Sequence, residues 1–354
     1  MPKPTPAAAT PAASPLDSRR RELAEWATTT LGTRAFSLAP ASADASFRRY
    51  FRMTLADAVP LARGQRTLIA MDAPPAREDC RPFVHVARLL VAAGVHAPDV
   101  LAAELDRGFL LLTDLGDRTY LAALDAASAP HLYSDAIDAL ICWQCASRGG
   151  ELPPYDEILL KRELDLFPDW YVARHLGIAL APAQAETLAR AFRLVLDNNL
   201  AQPRVFVHRD YHSRNLMVCA QNPGVLDFQD AVHGPITYDL VSLLRDAYIG
   251  WDEERQIDWA ARYWERARKA GLPVAGDFGA FWSDFEWMGV QRQLKVLGIF
   301  ARLCYRDGKA GYLDDMPRVM GYLRGACGRY RALGPLAKLL DELESRPQAV
   351  GYTF

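Results

Sequence analysis

The sequence contains a polar stretch, VFVHRDYHSRNLMV at residues 205–218, that places ionisable side chains between two apolar runs. Asp210 and Asn215 lie in this stretch, and Asp227 follows twelve residues after Asn215 in the apolar run GVLDFQD. An aspartate in such a loop can accept a proton from a hydroxyl group. An amide oxygen and a second carboxylate can hold Mg²⁺ against the phosphates of ATP. The pattern predicts phosphoryl transfer, with Asp210 as the base and Asn215 and Asp227 as metal ligands.

Short strands must position these side chains. The segments RVFVHRD, NLMVCA and PGVLDFQD are apolar runs separated by turn residues, which is typical of small strands rather than of a helix. A strand, a polar loop, a second strand, a turn and a third strand would bring the loop and Asp227 to the same end of a small sheet.

Two other interpretations of the stretch stay open. His208 and His212 are four residues apart, the spacing of a zinc hydrolase, but that site needs both histidines on one face of a helix. The flanking strand-like runs argue against a helix, and Arg209 stands where a zinc protease has its glutamate. Alternatively, Asp210 and Asn215 only cap turns within a buried polar network that performs no chemistry.

The composition bounds the class of protein. The chain has 354 residues, of which 50% are hydrophobic and 24% charged, and its formal net charge is -2. That is enough apolar material for two lobes with a core, and it gives no bulk electrostatic case for a nucleic-acid or membrane partner. The first residues lack the apolar segment of a signal peptide, and no apolar window is long enough to span a membrane. We expect a cytoplasmic monomer.

Six cysteines are present, and two of them, Cys142 and Cys145, form a CxxC pair. A zinc ribbon needs a second pair, which the sequence lacks. The surrounding segment ALICWQCAS has helical spacing. We expect buried thiols in a reducing cytosol, with a redox or metal role as the alternative.

The order of predicted elements gives an α+β, bilobal architecture. A Pro- and Ala-rich tail at 1–17 is expected to be disordered. An N-terminal lobe at 18–112 carries five strand-like runs and one main helix, REDCRPFVHVARLLVAAG. A short hinge at 113–117 follows, and the region 118–354 is predicted to be a larger, mostly helical lobe that holds the catalytic stretch.

These motifs resemble those of the aminoglycoside phosphotransferase family, whose members are small-molecule kinases with a protein-kinase-like fold. HRDYHSRN is similar to the catalytic loop of that family, and LDFQD is similar to its second metal motif. The resemblance implies that Asp239, in YDLVSLL, supports the backbone of the catalytic loop. It also implies that LLLTDLG is the hinge strand, where the backbone at Asp114 and Leu115 meets adenine.

Longer stretches resemble one branch of the family more closely. DASFRRYFR, MDAPPAREDCRPF and VLDFQDAVHGPITYDLVSLLRD are similar to segments of bacterial anomeric kinases that phosphorylate the C1 hydroxyl of N-acetylmuramate and N-acetylglucosamine. Those enzymes are cytoplasmic and act in peptidoglycan recycling. The resemblance implies an ATP- and Mg²⁺-dependent kinase with an amino-sugar substrate.

The nucleotide lobe departs from the general kinase pattern in two places. The turn ASADASF contains no glycine, although small residues including Ser46 could let backbone N–H groups approach phosphate. No lysine lies between residues 4 and 160, so the third strand lacks the usual phosphate-binding cation. We expect Arg49 first and Arg52 second to supply that charge, because a guanidinium can hold phosphate oxygens in a bidentate fork. The alternative for Arg49 and Arg52 is a solvated edge of the sheet.

The acceptor is expected between the catalytic loop and the C-terminal helices. Arg292 and Lys295 are three residues apart in a long apolar helical segment, so they share a face. We expect them to bind the lactyl carboxylate of N-acetylmuramate, with an internal ion pair or an exposed stripe as the alternative. His212 is close enough in sequence to Asp210 to contact the acceptor or to orient the loop. The aromatic rings of Tyr248 and Trp251 could stack on a sugar or belong to the core.

Two other functions remain open from the sequence. One is a kinase for a different hydroxyl acceptor, such as an aminoglycoside, choline or homoserine. The other is a non-catalytic, ATP-binding pseudokinase, which the missing lysine would favour.

Overall fold

The computed structural model describes residues 15–42 and 47–345 and divides the chain into two compact units. The N-terminal unit comprises the chain up to Arg88 together with Pro98–Leu115, and the C-terminal unit comprises Leu89–Ala97 and the chain from Gly116 onward. The break between Leu115 and Gly116 lies within the segment 113–117 that the sequence analysis treats as a hinge. The first helix begins at Pro15, inside the segment expected to be a disordered tail, and residues 1–14 lie outside the described residues.

The N-terminal unit is built on the predicted five-stranded antiparallel sheet, with strand order β1-β2-β3-β5-β4. One helix, α1 (Pro15–Leu31), precedes the sheet, and a short 3₁₀ turn, Pro60–Ala62, lies between the second and third strands. The strands are β1 (Phe36–Ser42), β2 (Arg49–Leu55), β3 (Thr67–Asp72), β4 (Val100–Glu104) and β5 (Phe109–Thr113). The α+β fold class is thereby confirmed for this unit.

Strand alternation gives this sheet two distinct faces. Phe51 and Met53 of β2 and Leu68 of β3 are buried in one core with Leu23 and Ala27 of α1. Successive residues of a strand point to opposite faces. In β2 and β3 the face covered by α1 therefore carries every second residue, and the residues between them lie on the other face.

The C-terminal unit is mostly helical, as predicted. The helix α2 (Arg81–Ala92) runs from the first unit into the second. The remaining helices are α3 (Tyr120–Ala123), α4 (Ala129–Cys145), α5 (Glu157–Leu164), α6 (Pro182–Ala201), α7 (Tyr238–Leu244), α8 (Glu253–Lys269), α9 (Phe278–Asp307), α10 (Met316–Arg329) and α11 (Gly334–Glu344). A π-helical segment at Phe167–His175 and 3₁₀ turns at Ala310–Asp315 and Arg331–Leu333 connect some of them. Four short strands are β6 (Arg204–Val207), β7 (Leu216–Met217), β8 (Gly224–Val225) and β9 (Val232–Pro235).

The long helix α9 is the centre of this unit. Its N-cap Asp277 accepts a hydrogen bond from the backbone N–H of Ala280 at 2.9 Å, and it ends at Gly308, whose φ of 70° suits a glycine C-cap. Most of its residues from Phe285 to Ala301 are buried, and it packs against α6, α7, α10 and the π-helical segment. A helix buried on all sides must satisfy any polar side chain internally, which applies to the two cations discussed below.

Gly298 allows α9 to approach the chain just before the π-helical segment. A Cβ atom added there would lie 2.4 Å from the carbonyl oxygen of Leu166, closer than any ordinary contact. Since that neighbour is backbone, it cannot move aside by a change of rotamer. The close approach therefore requires a glycine.

The cysteine expectation is partly wrong. Cys80 and Cys327 are buried, but Cys142 and Cys145 are exposed near the end of α4. The segment is helical, as the spacing predicts. The two cysteines, however, lie on the exposed side of α4, away from buried residues such as Ile141 and Trp143. None of the described helices combines the length and apolar character that crossing a membrane requires.

Replacing Gly298 with alanine should destabilise the protein by about 1–3 kcal/mol, the range for overpacking a filled core. The matched control is Gly321→Ala in the interior of α10, where an added Cβ would meet nothing within 4 Å. That substitution should stabilise the protein by about 0.5–1 kcal/mol, because alanine is the better helix former. Urea unfolding monitored by circular dichroism measures both. Equal effects of the two substitutions would contradict the close approach.

Candidate active site

Two small β-pairings assemble the polar stretch. Strand β6 pairs antiparallel with β9, and β7 pairs antiparallel with β8, so the loop 208–215 joins one pair to the other. The side-chain amide nitrogen of Asn215 donates to the carbonyl oxygen of Asp210 at 3.0 Å and lies 3.3 Å from Oδ2 of Asp227. The expectation that spacing brings Asp210, Asn215 and Asp227 together is confirmed.

The backbone of the loop is held by Asp239, at the start of α7. This fully buried carboxylate accepts the backbone N–H of His208 at 2.6 Å and that of Arg209 at 2.9 Å. The supporting role expected for Asp239 is confirmed. Arg209 has a φ of 77°, in the left-handed region that non-glycine residues rarely adopt. Two hydrogen bonds to one carboxylate hold the backbone in that conformation.

His208 is part of the scaffold of the loop. Its Nδ1 accepts the backbone N–H of Asp210 at 3.2 Å, and its Nε2 lies 2.9 Å from the carbonyl oxygen of Leu226. Nε2 must therefore carry the proton, and burial lowers the pKa of the ring to about 4, so the histidine is neutral. Because both ring nitrogens are engaged, His208 does not serve as a zinc ligand. No group of three or more His, Cys, Asp or Glu side chains in the described parts of the chain could hold a metal.

The donor set around Asp227 fits magnesium. The amide nitrogen of Asn215 faces Asp210 and Asp227, so its Oδ1 is the atom left for a cation. Gln229 donates to Oδ1 of Asp227 at 2.9 Å and fixes the carboxylate. Mg²⁺ usually takes one or two protein oxygens of this kind together with phosphate oxygens and water, rather than a complete protein cage.

Several cations surround the carboxylate of Asp210. Burial by itself would raise the pKa of Asp210, but the charges of Lys295, His212, Arg292 and Arg209 outweigh it and hold the pKa well below its usual range. Asp210 is therefore ionised at neutral pH. An ionised aspartate beside positive charges is suited to orient a hydroxyl group and to receive its proton.

Arg209 and Lys295 share one buried counter-ion, Glu163 of α5. Its carboxylate pairs with Lys295 at 3.0 Å and also accepts hydrogen bonds from Arg209 and from the hydroxyl of Tyr155. Lys295 in turn donates to the hydroxyl of Tyr238 at 2.8 Å. We refer to these five side chains as the Glu163 cluster. Burial alone would raise the pKa of Glu163, but Lys295 and Arg209 lower it below the ordinary value.

Sequence reasoning missed Glu163. It lies among charged residues in LLKRELDLF and resembles a solvent-facing position. A signal was present, since Leu160, Glu163, Leu164 and Phe167 have the i, i+3, i+4, i+7 spacing of a buried stripe, and all four are buried. An acid on such a stripe predicts a buried cation as its partner.

Arg292 differs from Lys295 in having unsatisfied donors. It is 3% exposed, and one guanidinium nitrogen donates to the hydroxyl of Ser242 at 2.7 Å. Its Nε and its other terminal nitrogen have no hydrogen-bond partner among the described residues. Buried donors without partners are costly and uncommon in folded proteins. Since the charge of Arg292 acts on Asp210, a polar ligand bound beside Asp210 would supply hydrogen-bond acceptors for these donors.

His212 continues this polar surface. Its backbone N–H donates to the carbonyl oxygen of Asp210 at 3.0 Å, and its ring packs edge-on against Tyr248 with centroids 5.4 Å apart. The Nδ1 atom is buried and has no partner within the described chain. Trp251, by contrast, donates to the hydroxyl of Tyr133 at 2.8 Å and packs edge-on against that ring. Of the two aromatic residues considered for sugar stacking, Tyr248 is the one beside the catalytic loop.

In the N-terminal unit, strand register separates the two candidate arginines. Arg49 of β2 is directly opposite Asp72 of β3, on the face that α1 covers. Asp72 is fully buried and accepts hydrogen bonds from Nε of Arg49 at 3.0 Å and from Nε of Arg19 of α1 at 2.9 Å. Arg49 thus belongs to an ion-pair network that ties the helix to the sheet.

Arg52 lies on the opposite face, three residues along β2. Its guanidinium makes two hydrogen bonds to the carboxylate of Asp114, at 2.7 and 3.0 Å. Asp114 and Leu115 follow β5, where the hinge strand was expected. Ser46 lies outside the described residues.

Replacing Glu163 with glutamine should destabilise the protein by about 3–5 kcal/mol, because two buried cations lose their counter-ion. The control is Glu157→Gln, which removes an exposed ion pair with Arg193 and should cost less than about 1 kcal/mol. Chemical unfolding at several pH values measures both.

The effect should depend on pH with a defined sign. Since the folded protein lowers the pKa of Glu163, its contribution to the free energy of unfolding is complete above the unfolded pKa of about 4.3. It is lost as the pH falls through the lower, folded pKa. The difference between wild type and Glu163→Gln should therefore be constant from pH 6 to 8 and shrink in acid. A difference that grew in acid would contradict the buried ion pair.

Comparison with known proteins agrees with this geometry. Residues 37–278 match the model of the phosphotransferase enzyme family. A curated protein from Pseudomonas aeruginosa, N-acetylmuramate/N-acetylglucosamine kinase, is 53% identical over 88% of this chain and 90% of its own length. A protein of the same name from Neisseria meningitidis is 48% identical over 95% of this chain and 99% of its own.

Solved structures show the same fold at low identity. A choline/ethanolamine kinase family protein from Mesorhizobium loti superposes with a TM-score of 0.59 at 13% identity, covering 91% of this chain and 99% of that one. An ADP-bound aminoglycoside phosphotransferase gives a TM-score of 0.52 at 13% identity, covering 85% and 97%. These likenesses confirm the protein-kinase-like fold. The family match over residues 37–278 and the curated relatives at 48–53% identity show that the chain belongs to the phosphotransferase enzyme family.

Proposed function

We propose that this chain is an ATP-dependent kinase that phosphorylates the anomeric C1 hydroxyl of N-acetylmuramate and N-acetylglucosamine, in the recycling of peptidoglycan. The observation that carries the proposal is the 48–53% identity, over 88–95% of this chain, to proteins named as kinases of these two sugars. A cytoplasmic location belongs to the same proposal, because ATP is available there.

Asp210 is the proposed base. Its ionised carboxylate would accept a hydrogen bond from the C1 hydroxyl and take the proton as that oxygen attacks the γ-phosphate of ATP. A carboxylate with a lowered pKa is a weak base. Phosphoryl transfer needs little proton abstraction before the oxygen attacks, because most of the catalysis comes from positioning and charge stabilisation.

Asn215 and Asp227 are the proposed ligands of magnesium. When bound, the ion would neutralise negative charge on the phosphates of the nucleotide. The residues of this chain supply the oxygen atoms, and Gln229 and the backbone of the catalytic loop keep those atoms in place.

On the acceptor side, the contacts support two of the three residues proposed from the sequence. The partnerless donors of Arg292 and the partnerless Nδ1 of His212 support a contact with the sugar. Lys295 is engaged by Glu163 and Tyr238, which supports the alternative of an internal ion pair. The acceptor proposal therefore rests on Arg292 and His212.

On the nucleotide side, the order of preference between the arginines is reversed. Arg49 lies on the face covered by α1 and is paired with buried Asp72. Arg52 is paired with Asp114 but lies on the other face, so it is the better candidate for the phosphates. Asp114 and Leu115 remain proposed for adenine by resemblance, and Ser46 for phosphate because small residues let backbone N–H groups approach.

The test of the function is ATP consumption by the purified protein with Mg²⁺ across a panel of acceptors: N-acetylmuramate, N-acetylglucosamine, glucose, kanamycin, choline and homoserine. Turnover on the two N-acetyl sugars, with loss of the reducing end in the product, is the expected result. Turnover confined to kanamycin, choline or homoserine would reject the sugar assignment and keep the phosphotransferase. ATP binding without turnover on any acceptor would support the pseudokinase.

Asp210→Asn should lower kcat by about 10²- to 10⁴-fold, the usual loss when a general base is removed. The dissociation constant for ATP should stay within about threefold, because the amide keeps the shape of the side chain. The control is Asp258→Asn, which alters only an exposed ion pair on α8. Steady-state kinetics and nucleotide titration give both quantities, and near wild-type turnover in Asp210→Asn would reject the base.

Arg52→Gln should raise the KM for ATP by about 10- to 100-fold, since a charge-assisted hydrogen bond contributes about 1.5–3 kcal/mol. Arg49→Gln is the matched comparison on the same strand. It should chiefly lower the melting temperature, because buried Asp72 loses one of its two cations. If Arg52→Gln left the KM for ATP unchanged, Arg52 would not bind phosphate.

A further inference from the structure

One cation of the catalytic loop, Arg214, has no counter-ion among the described residues. Arg214 lies between Ser213 and Asn215, and its side chain is exposed. Within residues 15–42 and 47–345, no carboxylate forms an ion pair with it, whereas Arg209 of the same loop is paired with Glu163. An exposed arginine without a partner is unremarkable on a general surface. Close in sequence to Asp210, the proposed base, and Asn215, the proposed metal ligand, its positive charge would act on a bound substrate.

The position of Arg214 is fixed by its neighbours. The backbone N–H of Ser213 donates to Oδ2 of buried Asp246 at 2.8 Å, and the carbonyl oxygen of Ser213 accepts from Leu121 at 3.0 Å. The backbone N–H of Asn215 donates to the carbonyl oxygen of His212 at 2.9 Å. The residue therefore projects from a backbone that is hydrogen-bonded on both sides.

The guanidinium itself is held on an aromatic platform. It lies 3.7 Å from the ring centroid of Tyr248 and 5.6 Å from that of Tyr312. Phe300 of α9 packs between these rings, with centroids 5.9 Å from Tyr248 and 5.2 Å from Tyr312. A guanidinium stacked on a ring uses its flat face, and its N–H groups, which point outward in the plane, stay available for a bidentate contact with an anion.

The platform is joined to the catalytic centre. Asp246 accepts the backbone N–H of Tyr248 at 2.8 Å with one oxygen and that of Ser213 with the other, so one carboxylate anchors both the platform and the loop. The other edge of Tyr248 meets the ring of His212, whose backbone N–H is bonded to Asp210. A continuous surface thus leads from the base, across His212 and Tyr248, to the free edge of Arg214.

We propose that Arg214 binds the carboxylate of N-acetylmuramate and so sets the preference of the enzyme between this acidic sugar and neutral N-acetylglucosamine. The assignment rests on the proposed function, and it replaces the expectation that Arg292 and Lys295 share this role. Lys295 is held in place by its ion pair with Glu163 and its hydrogen bond to Tyr238. Arg292 is buried, and its charge acts on Asp210, so it would contact the reacting end of either sugar.

An acidic sugar gains more from such a partner than a neutral one. The carboxylate of Asp210 repels a second carboxylate brought into the same site, and N-acetylmuramate brings one while N-acetylglucosamine does not. A cation a few residues from the base offsets that repulsion for the acid and contributes little to the neutral sugar. Two substrates that differ by one carboxylate therefore isolate the contribution of one arginine.

The test compares kcat/KM for the two sugars in wild type, Arg214→Gln and Arg214→Lys. Arg214→Gln should lose about 10- to 100-fold with N-acetylmuramate, from the loss of a charge-assisted bidentate contact. The loss with N-acetylglucosamine should be at least tenfold smaller. Arg214→Lys should fall between, since lysine keeps the charge and loses the fork. The methyl ester of N-acetylmuramate should respond to the substitutions as N-acetylglucosamine does.

Two controls make the outcome decisive. Arg262→Gln, on the exposed surface of α8, should leave both sugars at the wild-type rate, and Arg292→Gln should reduce both to a similar degree. An equal loss on both sugars in Arg214→Gln would assign Arg214 to the structure of the loop and overturn the proposal. An unchanged value with N-acetylmuramate would also overturn it. If wild type phosphorylated neither sugar, the proposed function itself would fail, a result distinct from either of these.

Discussion

The buried carboxylate of Glu163 is the interaction on which the rest of the catalytic loop depends. Arg209 and Lys295 are both paired with Glu163 near Asp210. Both cations would be costly to bury without this anion. Glu163 and Asp210 place two negative charges near three buried cations, Arg209, Lys295 and Arg292. The two carboxylates allow a long apolar helix, α9, to carry a lysine and an arginine through its buried middle, and the cations favour the ionised form of Asp210.

Other carboxylates fix the loop rather than act on a substrate. Asp239 accepts two successive backbone N–H groups at one end, and Asp246 accepts Ser213 near the other end, together with Tyr248 beyond the loop. His208 adds a neutral imidazole bonded to main chain on both sides. The loop is therefore held through contacts made by its backbone, which leaves the exposed side chain of Arg214 and the partnerless Nδ1 of His212 available to a ligand. A backbone held in place, with polar groups available to a ligand, is what phosphoryl transfer needs, since positioning supplies most of the catalysis.

In the N-terminal unit, too, a buried carboxylate is paired with two cations. The third strand has no lysine, and its buried aspartate, Asp72, binds two arginines from α1 and β2 on the covered face of the sheet. Arg52, three residues from Arg49, faces the other way because strands alternate. Strand β2 thus carries Arg49, which pairs with Asp72 on the covered face, and Arg52, which pairs with Asp114 on the other face. The alternation RRYFR was visible in the sequence, but the face that α1 covers was not.

The sequence by itself determined the two-part α+β fold, the five strands, and the grouping of Asp210, Asn215 and Asp227, which follow from local periodicity and from short spacings across strands and turns. It also indicated the family, through the resemblance of its motifs to those of known members. Only the tertiary structure decided which charges are partnered: that Lys295 belongs to Glu163, that Arg292 keeps unsatisfied donors, that Arg49 is bound by Asp72, and that Cys142 and Cys145 lie outside the core. The physical reason is that periodicity gives the face of an element on which a side chain lies, whereas its partner comes from a distant part of the chain. Glu163 and Lys295 are 132 residues apart, and no local pattern encodes their meeting.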